Sequence, residues 1–152
     1  MREDLPIEVT HDVRDRCLCL HVQRAARALA RRFDEALRPF GLTNGQFSLL
    51  TSLNRPDPPR ISDLVSILAM DRTTLTAALK PLTRRGLVQT NVDESDARSR
   101  RLTLTDAGRD LLVQAMPVWR AEHDALDEQL GDLERPERLR SDLRVLNGLA
   151  DD

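Results

Sequence analysis

The chain has 152 residues, of which 40% are hydrophobic, 32% charged and 3% aromatic, and its net charge is −2. That apolar share excludes a disordered chain and suits one domain whose core needs no disulfide or metal staple. No run reaches the ~18 consecutive apolar residues of a membrane span, and a near-neutral charge argues against indiscriminate coating of nucleic acid.

The opening MREDLPIEVT has no apolar h-region, so the expected compartment is the cytoplasm. A first long helix is expected from about Asp12 to Phe40, with Cys19, Val22, Ala26, Leu29, Phe33, Leu37 and Phe40 on one face. Pro39 and Gly41 end it. Thr43 or Asn44 caps a shorter helix carrying Phe47, Leu50 and Leu53, closed by the Pro-rich loop RPDPPR. Ser62 is expected to open the next helix, with Leu64, Val65 and Leu68 inward. After the turn Ala69-Met70-Asp71, Asp71 is placed as the N-cap of another helix. There Leu75, Ala78, Leu79 and Leu82 form the inner stripe, and Arg72, Thr73, Thr76, Ala77, Lys80 and Arg84 form the outer one. Gly86 supplies the stop, and Pro81 is expected to kink the last turn.

Two short strands follow, LVQTN (Leu87–Asn91) and RLTL (Arg101–Leu104), joined by the polar tip DESDARSR. Thr105 or Asp106 caps a long helix to about Leu130, with Pro117 inside it as a point of bending and Gly131 at its end. A last helix holds Leu139, Leu143, Leu146 and Leu149. Short helices followed by a two-stranded hairpin make the order of a winged helix-turn-helix. The fold class expected is mainly α with a small two- or three-stranded wing, as one domain over 1–152. Within it, 42–105 form the DNA-binding module, and 10–40 with 106–150 form a helical dimerisation region.

The charge distribution agrees with that order. Between Arg72 and Arg101 lie Arg72, Lys80, Arg84, Arg85, Arg98, Arg100 and Arg101, against Asp93, Glu94 and Asp96. Beyond Ala121 acids outnumber bases, so one anion-facing surface sits on an otherwise acidic body. A helix with one apolar side and one Thr/Lys/Arg side fits a major groove ~12 Å wide. A hairpin tip carrying Arg98 and Arg100 suits the negative potential of a narrow minor groove. A solvated face is the ordinary reading of such a stripe alone; the helix-turn-helix and basic hairpin together favour DNA.

ISDLVSILAMDRTTLTAALKPLTRRGLV and DESDARSRRLTLTDAG resemble the helix-turn-helix and the wing of the MarR family of bacterial transcription regulators. The two signatures stand in the right order at the right distance, and the resemblance runs from about Arg24 to Leu130. It implies that Arg98 is the wing-tip arginine of the minor groove and that Asp96 braces the wing. Arg72 to Lys80 would be the recognition helix, with Thr73, Thr74 and Thr76 as groove contacts. Ala77 stands where relatives often have larger polar groups. The resemblance further implies a homodimer built from both termini, binding double-stranded DNA at a pseudo-palindromic operator, with no membrane involvement. It also implies release by a small phenolic or lipophilic effector or by cysteine oxidation.

The ring and thioether side chains of Phe33, Phe47, Met116 and Trp119 are the candidates for an effector pocket, although residues at such spacing more often fill a core. Cys17 and Cys19 are the candidates for redox sensing. On a regular helix they point ~200° apart, which disfavours a bond between them and leaves Cys19 on the apolar stripe as a buried interface residue. Cys17 and His21 lie one turn apart but lack further metal ligands. No metal and no cofactor is expected. Enzyme readings find no Gly-rich phosphate loop, HExxH or GxSxG. The rival reading is a winged helix that serves only as a dimerisation or protein-docking module.

Overall fold

A computed structural model describes residues 2, 4–93, 96, 98–132 and 134–148. Leu149 of the expected last helix lies outside the described residues, as do positions 94, 95 and 97 of the wing tip. Among the described residues the order is α1 (Ile7–Arg16), α2 (Leu18–Leu37), a 3-10 turn (Arg38–Phe40), α3 (Asn44–Ser52), α4 (Ile61–Ile67) and α5 (Arg72–Arg84). Then come β1 (Val88–Val92), β2 (Arg100–Leu104), α6 (Asp106–Leu130) and α7 (Arg135–Leu146). No described helix is long and apolar enough to cross a membrane.

Local chemistry accounts for most boundaries. Thr43 caps α3 through a reciprocal pair: its hydroxyl accepts from the Gln46 N–H, and the Gln46 side chain accepts from the Thr43 N–H. Thr105 accepts from the Gly108 N–H at the start of α6, and left-handed glycines follow the 3-10 turn, α5 and α6 at Gly41, Gly86 and Gly131. α5 runs through Pro81 to Arg84.

Two boundaries differ from the sequence expectation. The long N-terminal helix is two helices, broken at Cys17, whose backbone is extended (φ −74°, ψ 101°) and whose Sγ accepts from the Leu20 N–H at 3.4 Å. Neither Pro nor Gly marks this break, so the apolar period reads straight through it. The N-cap of α4 is Arg60 rather than Ser62: its own N–H is satisfied by the Asp63 carboxylate at 2.8 Å, and it pairs as a lone bridge with Arg101 of β2. That bridge is all there is of a third strand among the described residues. The strands themselves start one residue away from the expected positions and pair antiparallel, Val88 opposite Leu104 and Val92 opposite Arg100.

The core is built where the helix-turn-helix meets the wing and α6. Leu37, Leu49, Leu50, Leu64, Leu75, Leu82 and Leu102 are buried together in a cluster that also holds Phe33, Phe47, Val88, Leu104 and Leu112. Of the face expected on the first helix only Phe33 and Leu37 are buried, with Phe40 half-buried; Cys19, Val22, Ala26 and Leu29 are exposed in the protomer. α1 buries nothing, and Leu139, Leu143 and Leu146 of α7 are also exposed.

The turn of the helix-turn-helix holds one strained residue. α4 ends in a Schellman arrangement, with the Met70 N–H on the Val65 carbonyl and the Ala69 N–H on the Ser66 carbonyl. The left-handed position in it is occupied by Ala69 (φ +47°), an exposed residue without glycine's freedom. The left-handed region costs a non-glycine residue ~1–2 kcal/mol, and glycine's extra unfolded-state entropy takes back ~0.4–1 kcal/mol. Ala69→Gly is therefore expected to stabilise the chain by about 0.5 kcal/mol. Equilibrium unfolding in urea checks this as a higher midpoint at constant slope.

Candidate nucleic-acid interface

α5 presents the polar face that the sequence led us to expect. Its first turn is fixed by Asp71, whose carboxylate accepts from the Thr74 N–H at 2.9 Å and from the Thr74 hydroxyl at 2.6 Å. The Thr74 hydroxyl, then its backbone N–H, hold the Asp71 carboxyl below its usual range. Leu75, Leu79 and Leu82 are buried towards α3 and α4, and Ala78 is half-buried. Arg72, Thr73, Thr76, Ala77, Lys80 and Arg84 are all exposed on the outer side.

The threonines are not equivalent. Thr74 donates to Asp71, and Thr76 donates to the Arg72 carbonyl at 2.7 Å. Of the three threonines in the first two turns, Thr73 alone keeps a hydroxyl without a described partner, and Thr76 presents chiefly its methyl beside Ala77. Arg85, next to this face, points elsewhere. It donates to the Phe40 carbonyl at 3.0 Å and to the Gly41 carbonyl, pinning the end of α5 to the turn before α3.

The hairpin tip is held by Asp96, which accepts from the Arg98 backbone N–H at 3.0 Å and from the Ser99 hydroxyl at 2.8 Å. These two donors, in that order, keep the Asp96 carboxyl below its usual range. The Ser99 N–H returns to the Asp96 carbonyl at 2.9 Å, so the backbone on both sides of Arg98 is fixed while its side chain stays exposed.

Sequence reasoning missed a second acid, Asp93, counted only as charge. Its side chain is 1% exposed, and its Oδ2 accepts from Arg60 Nε and forms an ion pair with Arg101 Nε, both at 2.8 Å. Around it Arg101 donates to the Pro58 carbonyl at 2.7 Å and the Leu102 N–H to the Pro59 carbonyl at 3.0 Å. The loop before α4 is thereby strapped to the wing. Asp93→Asn keeps the shape but removes the charge on which both guanidinium groups converge. Because Arg60 and Arg101 remain about a third exposed, the expected loss is about 2 kcal/mol, within the ~1–3 kcal/mol for an unmatched buried polar group. Denaturant titration of the two proteins measures it.

Arg72, Arg98 and Arg100 come together. With Arg60, Ile61, Ser62 and Ser99 they line one open cleft of about 260 Å³ between the wing and the start of α5. Lys80 and Arg84 lie further along the same helix. No described acid lines the cleft. Neither Arg60 nor Ser62 was expected at the site from the sequence, where Ser62 figured only as the start of the helix that precedes the turn and Arg60 stood just before it.

The remaining candidates sit apart. Phe33 and Phe47 are buried, with Met116 and Trp119 half-buried against the core. Their rings form a stack in which Phe47 and Trp119 lie 6.0 Å apart, Trp119 and His123 4.0 Å, and His123 and Phe33 4.6 Å. His123 Nδ1 is 3.1 Å from the Trp119 carbonyl. An apolar cavity of about 340 Å³ adjoins the stack at His123 and is lined by Leu29, Leu126, Leu130, Leu139 and Leu143. Cys17 is half-buried at the helix break. Cys19, expected at an interface, is exposed in the protomer, and the opposite-faces geometry of a regular helix does not apply to the pair. Among the described residues no group of His, Cys, Asp and Glu has the arrangement of a metal site.

The MarR family model matches residues 42–99. The transcriptional regulator MosR of M. tuberculosis, solved in complex with DNA, is 39% identical to this chain and superposes with a TM-score of 0.77 over 87% of this chain and 94% of its own. The chain belongs to the MarR family. Its curated relatives include the transcriptional activatory protein BadR of Rhodopseudomonas palustris, 34% identical over 119 residues. That match covers 76% of this chain and 66% of BadR, just short of two thirds of the relative. A transcriptional repressor, CouR, bound to a 23-mer DNA duplex, is 29% identical with a TM-score of 0.79 over 93% of this chain and 97% of its own. The MarR fold accounts for the seven helices and the two-stranded wing described here.

Proposed function

We propose that this chain is a sequence-specific double-stranded DNA-binding transcription regulator that acts as a homodimer, a repressor by promoter occupancy. The observation that carries the reading is the convergence of α5 and the hairpin tip, whose Arg72, Arg98 and Arg100 line one cleft. A helix and a hairpin so joined enter a major groove and the adjacent minor groove from one side of the duplex. Arg72, Thr73, Thr74, Thr76, Ala77, Lys80 and Arg84 face the major groove, and residues 42–105 act as the DNA module. MosR and CouR, solved on DNA, support this assignment.

Dimerisation is proposed through 10–40 and 106–150. Val13, Val22, Leu29, Leu139, Leu143 and Leu146 are exposed there, as are Ile7 and Val9 just before it, and the apolar cavity at Leu29, Leu139 and Leu143 opens among them. Apolar surface of that extent on a charged protein marks an interface. Two DNA modules then sit about one turn of duplex apart.

Selection of bound duplexes from a random pool, at moderate salt and under reducing conditions, tests the reading. An enriched inverted repeat is the expected result. A folded, dimeric protein that enriches nothing would leave the docking module as the better reading.

Release is proposed to run through the Cys17 and Cys19 thiols at the α1–α2 break or through an effector at the Phe33, Phe47, Met116 and Trp119 stack. The thiol branch predicts that a Cys17→Ser, Cys19→Ser double variant binds the selected duplex with unchanged affinity and no longer lets go on peroxide treatment. Fluorescence anisotropy of the complex reads both properties, and full release of the double variant would leave the effector branch alone.

A further inference from the structure

We infer that the middle of α5 reads thymine methyl groups, with Thr76 Cγ2 as the group that sets the preference and Ala77 as the residue that lets it come close. The inference rests on the DNA-binding reading above and names the base chemistry that this face recognises.

Thr73, Thr76, Ala77 and Lys80 stand at the three-and-four spacing of one helix face, and all four are exposed. Cations mark both ends of that face, Arg72 in the first turn and Lys80 and Arg84 in the later ones. Their long side chains can fold outward to the phosphates on either rim of a groove. Thr76 and Ala77 have no such reach, so what they meet must lie against the helix itself, at the base edges.

The hydroxyls that could read a polar edge there are largely committed. Thr74 donates its hydroxyl and its N–H to Asp71, which makes it part of the helix cap. Thr76 Oγ1 donates to the Arg72 carbonyl at 2.7 Å, the bond back to residue i−4 that threonine makes inside helices. That bond turns the oxygen along the backbone and leaves the Cγ2 methyl as the free end of the side chain. α5 also holds no Asn or Gln, whose amides pair with adenine.

Of the groups that base pairs present in the major groove, the thymine C5-methyl is the apolar one, and the others are nitrogen and oxygen donors or acceptors. A methyl group pressed on one of those strips its water and returns no hydrogen bond. Pressed on the thymine methyl, it removes apolar surface from water on both sides. A longer residue at position 77 would hold the helix away from the base edges, so alanine there permits a one-carbon contact.

The test uses the full chain and the inverted repeat it selects, with each symmetry-related pair of thymines replaced in turn by deoxyuridine. That exchange deletes the methyl and keeps every hydrogen-bonding edge. Wild type is expected to lose about fourfold per methyl, hence about 15-fold for one pair. Thr76→Ser keeps the hydroxyl bond and lacks the methyl. It is expected to bind the thymine duplex about 15-fold more weakly and to change less than about twofold on the exchange at that pair. Thr76→Val keeps the methyl without the hydroxyl and should discriminate as wild type does. Full discrimination in Thr76→Ser, its loss in Thr76→Val, or a selected half-site indifferent to uracil throughout would overturn the assignment while leaving DNA binding intact. Failure of the wild type to select any duplex would remove the underlying reading as well. The exchange in wild type needs no variant, so it stands whether or not either substitution disturbs folding.

Discussion

Arg98→Ala is expected to weaken binding to the selected duplex by about 100-fold, because a base- or groove-contacting arginine contributes ~1–3 kcal/mol and a dimer loses two. The side chain is exposed at a tip whose backbone is held on both sides by Asp96. Its removal therefore leaves the fold and the dimer unchanged, and thermal unfolding should match wild type. The loss should also change the salt dependence. Each arginine that neutralises backbone charge accounts for ~0.9 of the slope of log affinity against log salt, so two lost arginines flatten that slope by about 2. Arg98→Lys keeps the charge without the planar fork and should fall between the two. Wild-type affinity and slope in Arg98→Ala would mean that the wing does not enter a groove.

Gly108→Ala is expected to be the most damaging of the stability changes, although alanine is the better helix former by ~1 kcal/mol. Gly108 sits in the first turn of α6, and a Cβ there would lie 2.3 Å from the Leu87 carbonyl oxygen and 3.2 Å from Leu104 Cδ2. That carbonyl is not free to move. It accepts from the Thr105 N–H at 3.1 Å, and the Thr105 hydroxyl donates to the Gly86 carbonyl at 2.6 Å. A methyl group must therefore part α6 from the base of the wing, at about 3 kcal/mol, the upper end of overpacking costs. At ~2–4 °C per kcal/mol the melting temperature falls by about 6–12 °C. Gly45→Ala is the control: its Cβ would meet Met70 Cε at an ordinary 3.8 Å, and the expected change is near zero. Equal melting of Gly108→Ala and Gly45→Ala would show that α6 does not seat on the wing as described.

What was legible in the sequence was carried by signals within one or two turns of helix. The three-and-four spacing of Leu75, Leu79 and Leu82 fixed which face of α5 turns inward, and Asp71 and Gly86 mark its ends. The order of helices and hairpin, with DESDARSRRLTLTDAG after RRGLV, was sufficient for the family and for the reading of the wing. Where local signals were weak, the reading failed. The break at Cys17 has no proline or glycine to announce it. The start at Arg60 depends on its own N–H donating to the Asp63 carboxylate and on a bridge to Arg101, so a residue type that rarely caps helices does so here.

By itself, then, the sequence determined the mainly helical class, the outward polar face of α5 and the arginine-bearing tip, because periodicity, caps and turn residues act over a few positions. Only the tertiary structure decided which distant groups meet. Asp93 is buried against Arg60, 33 residues earlier in the chain, and Gly108 is forced to be glycine by the Leu87 carbonyl. Arg60 and Ser62 join Arg72 and Arg98 in one cleft, and Arg32 of α2 pairs with Glu122 of α6 across 90 residues. Burial of a charge, a steric limit on a Cβ and the crowding of like charges are properties of the space between elements. That space exists only once the leucine faces have packed.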